Sequence, residues 1–245
     1  MRALDRDQSE MITQLLFGEK VEVILKKHTN WAKIRSLHDN YVGWVDKRMI
    51  YYLRDKEFEK LKKDVVIVAE FAQGIASPKE SHCISFGAEL PRFDGISSKL
   101  PFGKFIYNGQ FIKPEQVVDK REMVIKLANK FLFSPYLWGG RSPFGLDCSG
   151  FVQVVYKMVG IQLPRDAKDQ IYEGDVIDFI SQVKPGDLAF FSKEGRVHHV
   201  GIILDNQRVI HASGFVRIDK LDHFGIYNKE ERRYSHELRL CKSIL

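Results

Sequence analysis

The run Tyr136-Leu-Trp-Gly-Gly-Arg-Ser-Pro-Phe-Gly-Leu-Asp-Cys-Ser-Gly-Phe151 constrains the fold of this chain more than any other stretch. Gly139, Gly140 and Gly145 precede a cysteine and admit backbone conformations that side-chained residues resist. Ser149-Gly-Phe-Val-Gln-Val-Val-Tyr-Lys-Met-Val159 then reads as a helix, with Gly160 placed to end it. The pattern predicts a glycine-rich loop feeding straight into a helix, with Cys148 at the joint. A thiol at a helix N-terminus meets unsatisfied N–H groups and the positive end of the helix dipole, and both favour thiolate. Cys148 is therefore in a position to be a nucleophile, and its thiol is expected to be held towards the anion.

A cysteine nucleophile needs an imidazole base and a third group to orient that base. Of eight histidines, three lie in Val197-His-His-Val-Gly-Ile-Ile-Leu-Asp-Asn-Gln-Arg-Val-Ile-His211. This segment reads as two short apolar strands around a turn at Asp205-Asn206-Gln207. A three-residue loop centred on Asn206 sets Gly201 opposite His211 and puts His199 on the same face, as a diagonal neighbour. A two-residue loop puts His198 there instead, because a one-residue slip reverses every side chain. The sequence leaves the turn open. A zinc site is the competing use of a Cys/His set, but one loop cysteine and two strand histidines lack the close paired spacing of a zinc motif. No metal or other cofactor is expected. Cys83 and Cys241 lie in strand-like runs and read as structural.

Composition bounds the remaining classes. The chain has 245 residues, 44% hydrophobic and 29% charged, enough for more than one domain. No run is long enough to span a bilayer, and three cysteines are too few for a disulfide framework. The net charge of +6 suits an acidic substrate as well as simple solubility, and no nucleic-acid motif accompanies it. Met1-Arg-Ala-Leu-Asp-Arg-Asp7 is charged and carries no apolar leader segment. It reads either as the start of a cytoplasmic protein or as that of an exported one whose leader has been removed.

Along the chain, Val21–Leu25, Trp31–Arg35 and Tyr41–Val45 are short alternating segments joined by turns. A charged stretch from Arg54 to Asp64 reads as a linker or exposed helix. Val65–Ala69, Cys83–Phe86 and Lys104–Tyr107 are further strands, with Asn108-Gly109 as a hairpin turn. Pro114 to Phe133 reads as one amphipathic helix ended by Pro135. A strand at Asp187–Phe191, the two histidine strands and an alternating terminal strand follow. Helices first and contiguous antiparallel strands afterwards make an α+β domain.

Asp147-Cys148-Ser149-Gly150-Phe-Val, His199-Val-Gly-Ile and Ile210-His211-Ala, in that order, resemble the NlpC-type cysteine peptidases of bacterial cell walls. The resemblance covers roughly the second half of the chain. It implies a papain-like domain of helices packed on an antiparallel sheet. It makes Cys148 the nucleophile, His199 the base, His211 the residue that orients the base, and Tyr136 a neighbour of the oxyanion. Phe17-Gly-Glu, Trp31 and Gly43-Trp44-Val45 resemble a bacterial SH3-like domain. The expected layout is an SH3-like barrel at 1–55, a second and divergent one at 56–113, and the peptidase at 114–245.

That combination is similar to the γ-D-glutamyl-L-diamino acid endopeptidases, which act on murein stem peptides with a free N-terminal L-alanine. The resemblance implies an amine-binding set of Glu10, Tyr41 and Asp166. Asp147 and Ser149 flank the nucleophile as candidate substrate contacts. Arg165 reads either as the partner of a D-glutamate carboxylate or as a structural mate of Asp166. The expected partner is a murein peptide, met by a monomer without a membrane span. One alternative makes the barrels wall-binding modules of a hydrolase acting on intact peptidoglycan. Another drops catalysis and leaves a ligand-binding module.

Overall fold

The computed structural model describes every residue except Asn206, and it divides into two compact units, Met1–Gln116 and Val117–Leu245.

The first unit opens with an antiparallel sheet of Val21–Lys26, Trp31–Ser36 and Val42–Asp46. The central strand alternates strictly, so Ala32 and Ile34 face inward and are fully buried with Val45 against Leu15 and Val21. The charged stretch forms a short helix, Asp55–Lys60. Beyond it, two further antiparallel sheets enclose one core that includes Val66, Val68, Ile75, Leu90, Phe105 and Tyr107. Asn108-Gly109 does not close a hairpin. Gly103–Ile106 pairs with Ser97–Leu100, whereas Phe111–Ile112 pairs with Val66–Val68 in the other sheet. The dipeptide is thus a crossing between sheets.

In the second unit, α1 (Lys120–Lys130) begins six residues later than its apolar pattern suggests. Asp119 caps it, its side chain accepting from Glu122 N at 2.9 Å, and Pro114–Gln116 is only a 3-10 turn. A side-chain cap fixes a helix start more firmly than hydrophobic periodicity does, and Val118 is left fully exposed. The cysteine helix α2 (Cys148–Lys157) is buried along its whole length. Its one polar stripe, Ser149, Gln153 and Lys157, is buried along with its apolar faces. Each fully buried Val or Phe of α2 contributes about 1.5–3 kcal/mol. Gly160, at φ +78°, ends this segment in the left-handed region. A single turn, α3 (Ala167–Gln170), follows.

Seven antiparallel strands complete the unit: β1 (Asp175–Ile177), β2 (Leu188–Lys193), β3 (Arg196–Asp205), β4 (Arg208–Ser213), β5 (Phe215–Asp222), β6 (Gly225–Asn228) and β7 (Arg233–Ser243). Their order is β1-β7-β2-β3-β4-β5-β6, and β6 also pairs with β7, so the sheet curls back on itself. The α+β reading anticipated β2, β3, β4 and part of β7. It missed β1, β5 and β6 and the closure they make. Helix α2 packs on β3 and β4, the two histidine strands.

Candidate active site

Asp147 joins the glycine loop to the cysteine helix. Its Oδ1 accepts from Gly150 N at 2.7 Å, capping α2, and its Oδ2 accepts from Gly139 N at 2.9 Å. Gly140 and Gly150 are obligatory for a steric reason. A Cβ on Gly150 would lie 2.2 Å from the Gly140 carbonyl oxygen, and one on Gly140 would lie 2.3 Å from that of Gly145. Arg165 completes the joint from below, its Nη2 donating to Asp147 Oδ2 at 2.6 Å and its Nη1 to Ser149 Oγ at 2.9 Å. The loop carrying Arg165 is pinned under α2 by two buried glutamines. Gln153 donates to Leu163 O at 2.9 Å, and Gln170 to Pro164 O at 2.8 Å and Ser149 O at 3.1 Å.

Cys148 is buried at the mouth of this joint, at the start of a helix packed on the strand that bears His199 and Val200. Next along the network, His199 Nε2 lies 2.8 Å from His211 Nδ1, and His211 Nε2 lies 3.0 Å from Asp219 Oδ2. His199, His211 and Asp219 are all buried. Arg217 donates to the other oxygen of Asp219 at 2.9 Å. His236 stacks on His199 with ring centroids 4.2 Å apart, and on its other neighbour, His198, at 5.6 Å.

A bulge puts His199 on this face. Asp205 pairs with Arg208, a register that alone would present His198. Between Ile203 and Asp205 the register slips by one, and from there Ile202 opposes Ile210. Gly201 therefore faces His211, where a Cβ would come within 3.0 Å of that residue's Cβ. The expected alignment of Gly201 and His211 is present, but a bulge produces it and not a three-residue loop. Asn206, the centre of that loop, lies outside the described residues.

The electrostatics differ from the expectation of a resting thiolate. Burial, then the Asp147 carboxylate, pushes the Cys148 thiol up to about 12, and the N–H groups of Val200 and Ser149 only partly offset this. Desolvation outweighs the helix terminus because the sulfur is taken out of water altogether. Burial and the neighbouring histidines hold His199 well below the usual histidine range. Both shifts favour the neutral thiol and the neutral imidazole at rest. Burial, then the charge of Cys148, raises the Tyr136 phenol to about 12, and the Tyr136 backbone bridges to Leu146, two residues before Cys148.

Known proteins resemble this chain. Residues 134–235 match the NlpC/P60 family, and residues 2–50 match the bacterial dipeptidyl-peptidase Sh3 domain. The gamma-D-glutamyl-L-lysine dipeptidyl-peptidase of Bacillus subtilis is 33% identical over 217 residues, 82% of this chain and 71% of that protein. Its namesake from Bacillus cereus is 30% identical over 228 residues, 83% of this chain and 68% of that protein. This chain belongs to the NlpC/P60 family. The crystal structure of an NlpC/P60 family protein from Bacillus cereus superposes with a TM-score of 0.79 at 29% identity, covering 95% of this chain and 82% of its own.

Within the NlpC/P60 domain the structure brings Cys148, Ser149, Asp147, Arg165 and Tyr136 to one end of α2, against the strand that bears His199. Arg165 pairs with Asp147, and Asp166 lies 3.4 Å from Lys168 at the start of α3. Asp147 and Ser149, expected as substrate contacts, are engaged by Arg165. Glu10 is exposed in the N-terminal segment, and Tyr41 is half-buried just before the third strand of the first unit. Cys241 is buried and Cys83 exposed. Among the described residues no three His, Cys, Asp or Glu side chains are grouped to hold a metal, and no helix is long and apolar enough to cross a membrane.

Sequence reasoning missed Asp219, Arg217 and His236. A signal for the first two was present. A tight turn at Gly214, φ +73°, pairs His211 with Arg217 and makes Asp219 its diagonal neighbour on the same face. His236 had none, because β7 joins the site only through the closure of the sheet.

Proposed function

We propose that this NlpC/P60 protein hydrolyses the γ-D-glutamyl-L-diamino acid amide of murein stem peptides that carry a free N-terminal L-alanine, in peptidoglycan turnover or recycling. Cys148 is the nucleophile and His199 the general base. The observation that carries this reading is Cys148 at the start of α2, a helix packed on the strand that bears His199, whose Nε2 is already engaged by His211. That leaves Nδ1 of His199 for the thiol proton.

The reaction follows from these groups. As Sγ attacks the amide carbonyl, its proton passes to Nδ1 of His199, and the carbonyl oxygen becomes an oxyanion. The N–H of Cys148 and the Tyr136 hydroxyl stabilise that oxyanion. Collapse breaks the C–N bond, and Nδ1 returns the proton to the leaving amine, giving an acyl-enzyme. Water, deprotonated by the same nitrogen, then releases the acid and the thiol.

For the amine of L-alanine, the resemblance supplies Glu10, Tyr41 and Asp166 as partners, since a buried ammonium requires an acidic mate. We read residues 56–113 as a second SH3-like barrel, and the protein as a monomer in which the N-terminal unit selects for the free amine. Similarity to gamma-D-glutamyl-L-lysine dipeptidyl-peptidases supports this over a wall-tethered hydrolase.

Digesting L-Ala-γ-D-Glu-L-Lys and its N-acetylated form tests the reading. Wild-type enzyme is expected to release L-Ala-D-Glu from the first and to lose at least about 100-fold in kcat/KM on the second, a loss of about 2.7 kcal/mol in transition-state binding. Cys148→Ala is expected to cleave neither while keeping the melting temperature of the wild type. An active Cys148→Ala variant would end the proposal, and equal cleavage of both peptides would return the wall-hydrolase alternative.

A further inference from the structure

We infer that Asp219, held by Arg217, is a positioning residue that fixes the tautomers of both His211 and His199 and so decides which nitrogen of His199 takes the thiol proton. The inference rests on the cysteine-peptidase reading above and adds a fourth group to its catalytic row.

The argument is one of donor counting. A carboxylate only accepts hydrogen bonds, so at 3.0 Å from Asp219 Oδ2 the Nε2 of His211 must carry a proton. A neutral imidazole has one N–H, so His211 Nδ1 is then a bare lone pair and accepts. The nitrogen 2.8 Å away, His199 Nε2, must therefore be the donor. With its single proton on Nε2, His199 presents Nδ1 as a lone pair, which is the form a general base needs. The chain of inference holds only while both rings stay neutral. Burial lowers both histidines from their ordinary value, against the pull of Asp219 on His211. Asp219 in turn stays ionised: burial works against it, but the hydrogen bonds from His211 and Arg217 hold it below the usual carboxylate range. Arg217, which stands opposite His211 on the next strand, therefore supports the donor order through Asp219.

Asparagine inverts the row. An Asp219→Asn side chain can turn its amide N–H to His211 Nε2. His211 then carries its proton on Nδ1 and donates to His199 Nε2, which leaves the proton of His199 on Nδ1. That nitrogen can no longer accept from the thiol. A wrong-tautomer lesion of this kind costs about 10²–10⁴-fold in kcat in comparable hydrolases.

A cavity of about 220 Å³ opens on this end of the row, lined by His211, Arg217, Asp219, Asn228 and Tyr234. It gives a small carboxylic acid a route to the vacated position in an Asp219→Ala variant.

The experiment uses the whole chain with L-Ala-γ-D-Glu-L-Lys as substrate and nitrogen-15 NMR of labelled histidines. Wild-type His199 is expected to be protonated on Nε2 and His211 on Nε2. Asp219→Asn is expected to move both protons to Nδ1 and lose at least about 100-fold in kcat, with KM within about threefold. Asp219→Ala is expected to recover at least about tenfold on addition of formate, a recovery that a merely structural role would not give. A wild-type His199 protonated on Nδ1 overturns the inference, as does Asp219→Asn with kcat within about threefold of wild type. If Asp219→Asn does not fold, the wild-type tautomers alone decide. Failure of the broader reading looks different: Cys148→Ala would then remain active whatever Asp219 does.

Discussion

Arg165→Met separates the two roles that the sequence leaves open for that residue. The Arg165 and Asp147 side chains are 1% and 8% exposed, and the guanidinium makes bonds of 2.6 and 3.0 Å to the carboxylate and 2.9 Å to Ser149. Methionine replaces the stem but leaves Asp147 a buried anion with its main counter-charge gone. Breaking a buried pair from one side costs about 3–5 kcal/mol. At about 2–4 °C per kcal/mol for a chain of this size, the melting temperature should fall by about 6–20 °C. The Asp147→Asn, Arg165→Met double variant keeps an acceptor for Gly150 N and removes the stranded charge. It should be less destabilised than the sum of the single variants by about 1–3 kcal/mol. Urea and thermal unfolding followed by circular dichroism measure all four corners of the cycle. KM for the tripeptide, measured well below the melting temperature, should stay within about threefold of wild type. The reasoning is refuted if Arg165→Met loses less than about 1 kcal/mol while KM rises tenfold or more, since that is how a ligand of the D-glutamate carboxylate would behave.

Two further outcomes follow from the histidine strands. Gly201→Ala places a Cβ 2.6 Å from Val209 Cγ2 and 3.0 Å from His211 Cβ. It should cost about 1–3 kcal/mol by overpacking and lower kcat by at least about tenfold as His211 is displaced, checked by unfolding and steady-state kinetics together. The pH dependence has a definite sign. His199 is held well below 6.5 by burial and by His211, His236 and His198, while the Cys148 thiol sits near 12. The base is therefore deprotonated and the thiol protonated throughout the neutral range. The kcat/KM profile should be flat from about pH 6.5 to 9 and fall only on more acid titration. An acid limb centred at 6.5 contradicts it. Stability runs the same way. His199, His211 and His236, the last lowered to about 4, bind protons more readily unfolded than folded. Their contribution is complete above 6.5 and is lost as pH falls from there towards 4, which thermal melts across that interval measure.

How much of this was legible in the sequence follows from the range of each interaction. The cysteine joint was readable because it is local. Asp147, Cys148, Gly150 and the glycines before them lie within one loop and one helical turn, and their spacing carries the geometry. The Gly201–His211 alignment was readable only as a choice, since a one-residue bulge at Leu204 leaves no mark in composition or alternation. The start of α1 was misplaced because Val117 and Val118 continue the apolar rhythm past the point where Asp119 caps the helix. The Asp147 partner of Arg165 was not legible, because it stands eighteen residues back and meets the guanidinium only through the packing of α2. His236 is the limiting case. It stacks on the proposed base, yet it reaches it from β7 by a closure of the sheet that no neighbouring residue announces.

A neutral resting pair also changes what the helix terminus contributes. With the thiol near 12 and His199 depressed, the thiolate–imidazolium pair lies uphill in the free enzyme. The N–H groups of Val200 and Ser149 favour the thiolate without outweighing burial, so they favour the sulfur on which negative charge develops during attack. Preorganised donors of this kind stabilise the transition state more than the ground state, which is what accelerates the chemical step. Proton transfer to His199 is then coupled to attack on a bound carbonyl instead of preceding it. Two consequences are built into the same geometry. The nitrogen that receives the proton must be bare before substrate arrives, which makes the order of hydrogen bonds from Asp219 inward a condition of the reaction. Reactivity towards a general thiol reagent in the free enzyme reports exposure more than nucleophilic role, because Cys83 is exposed while Cys148 is buried and protonated.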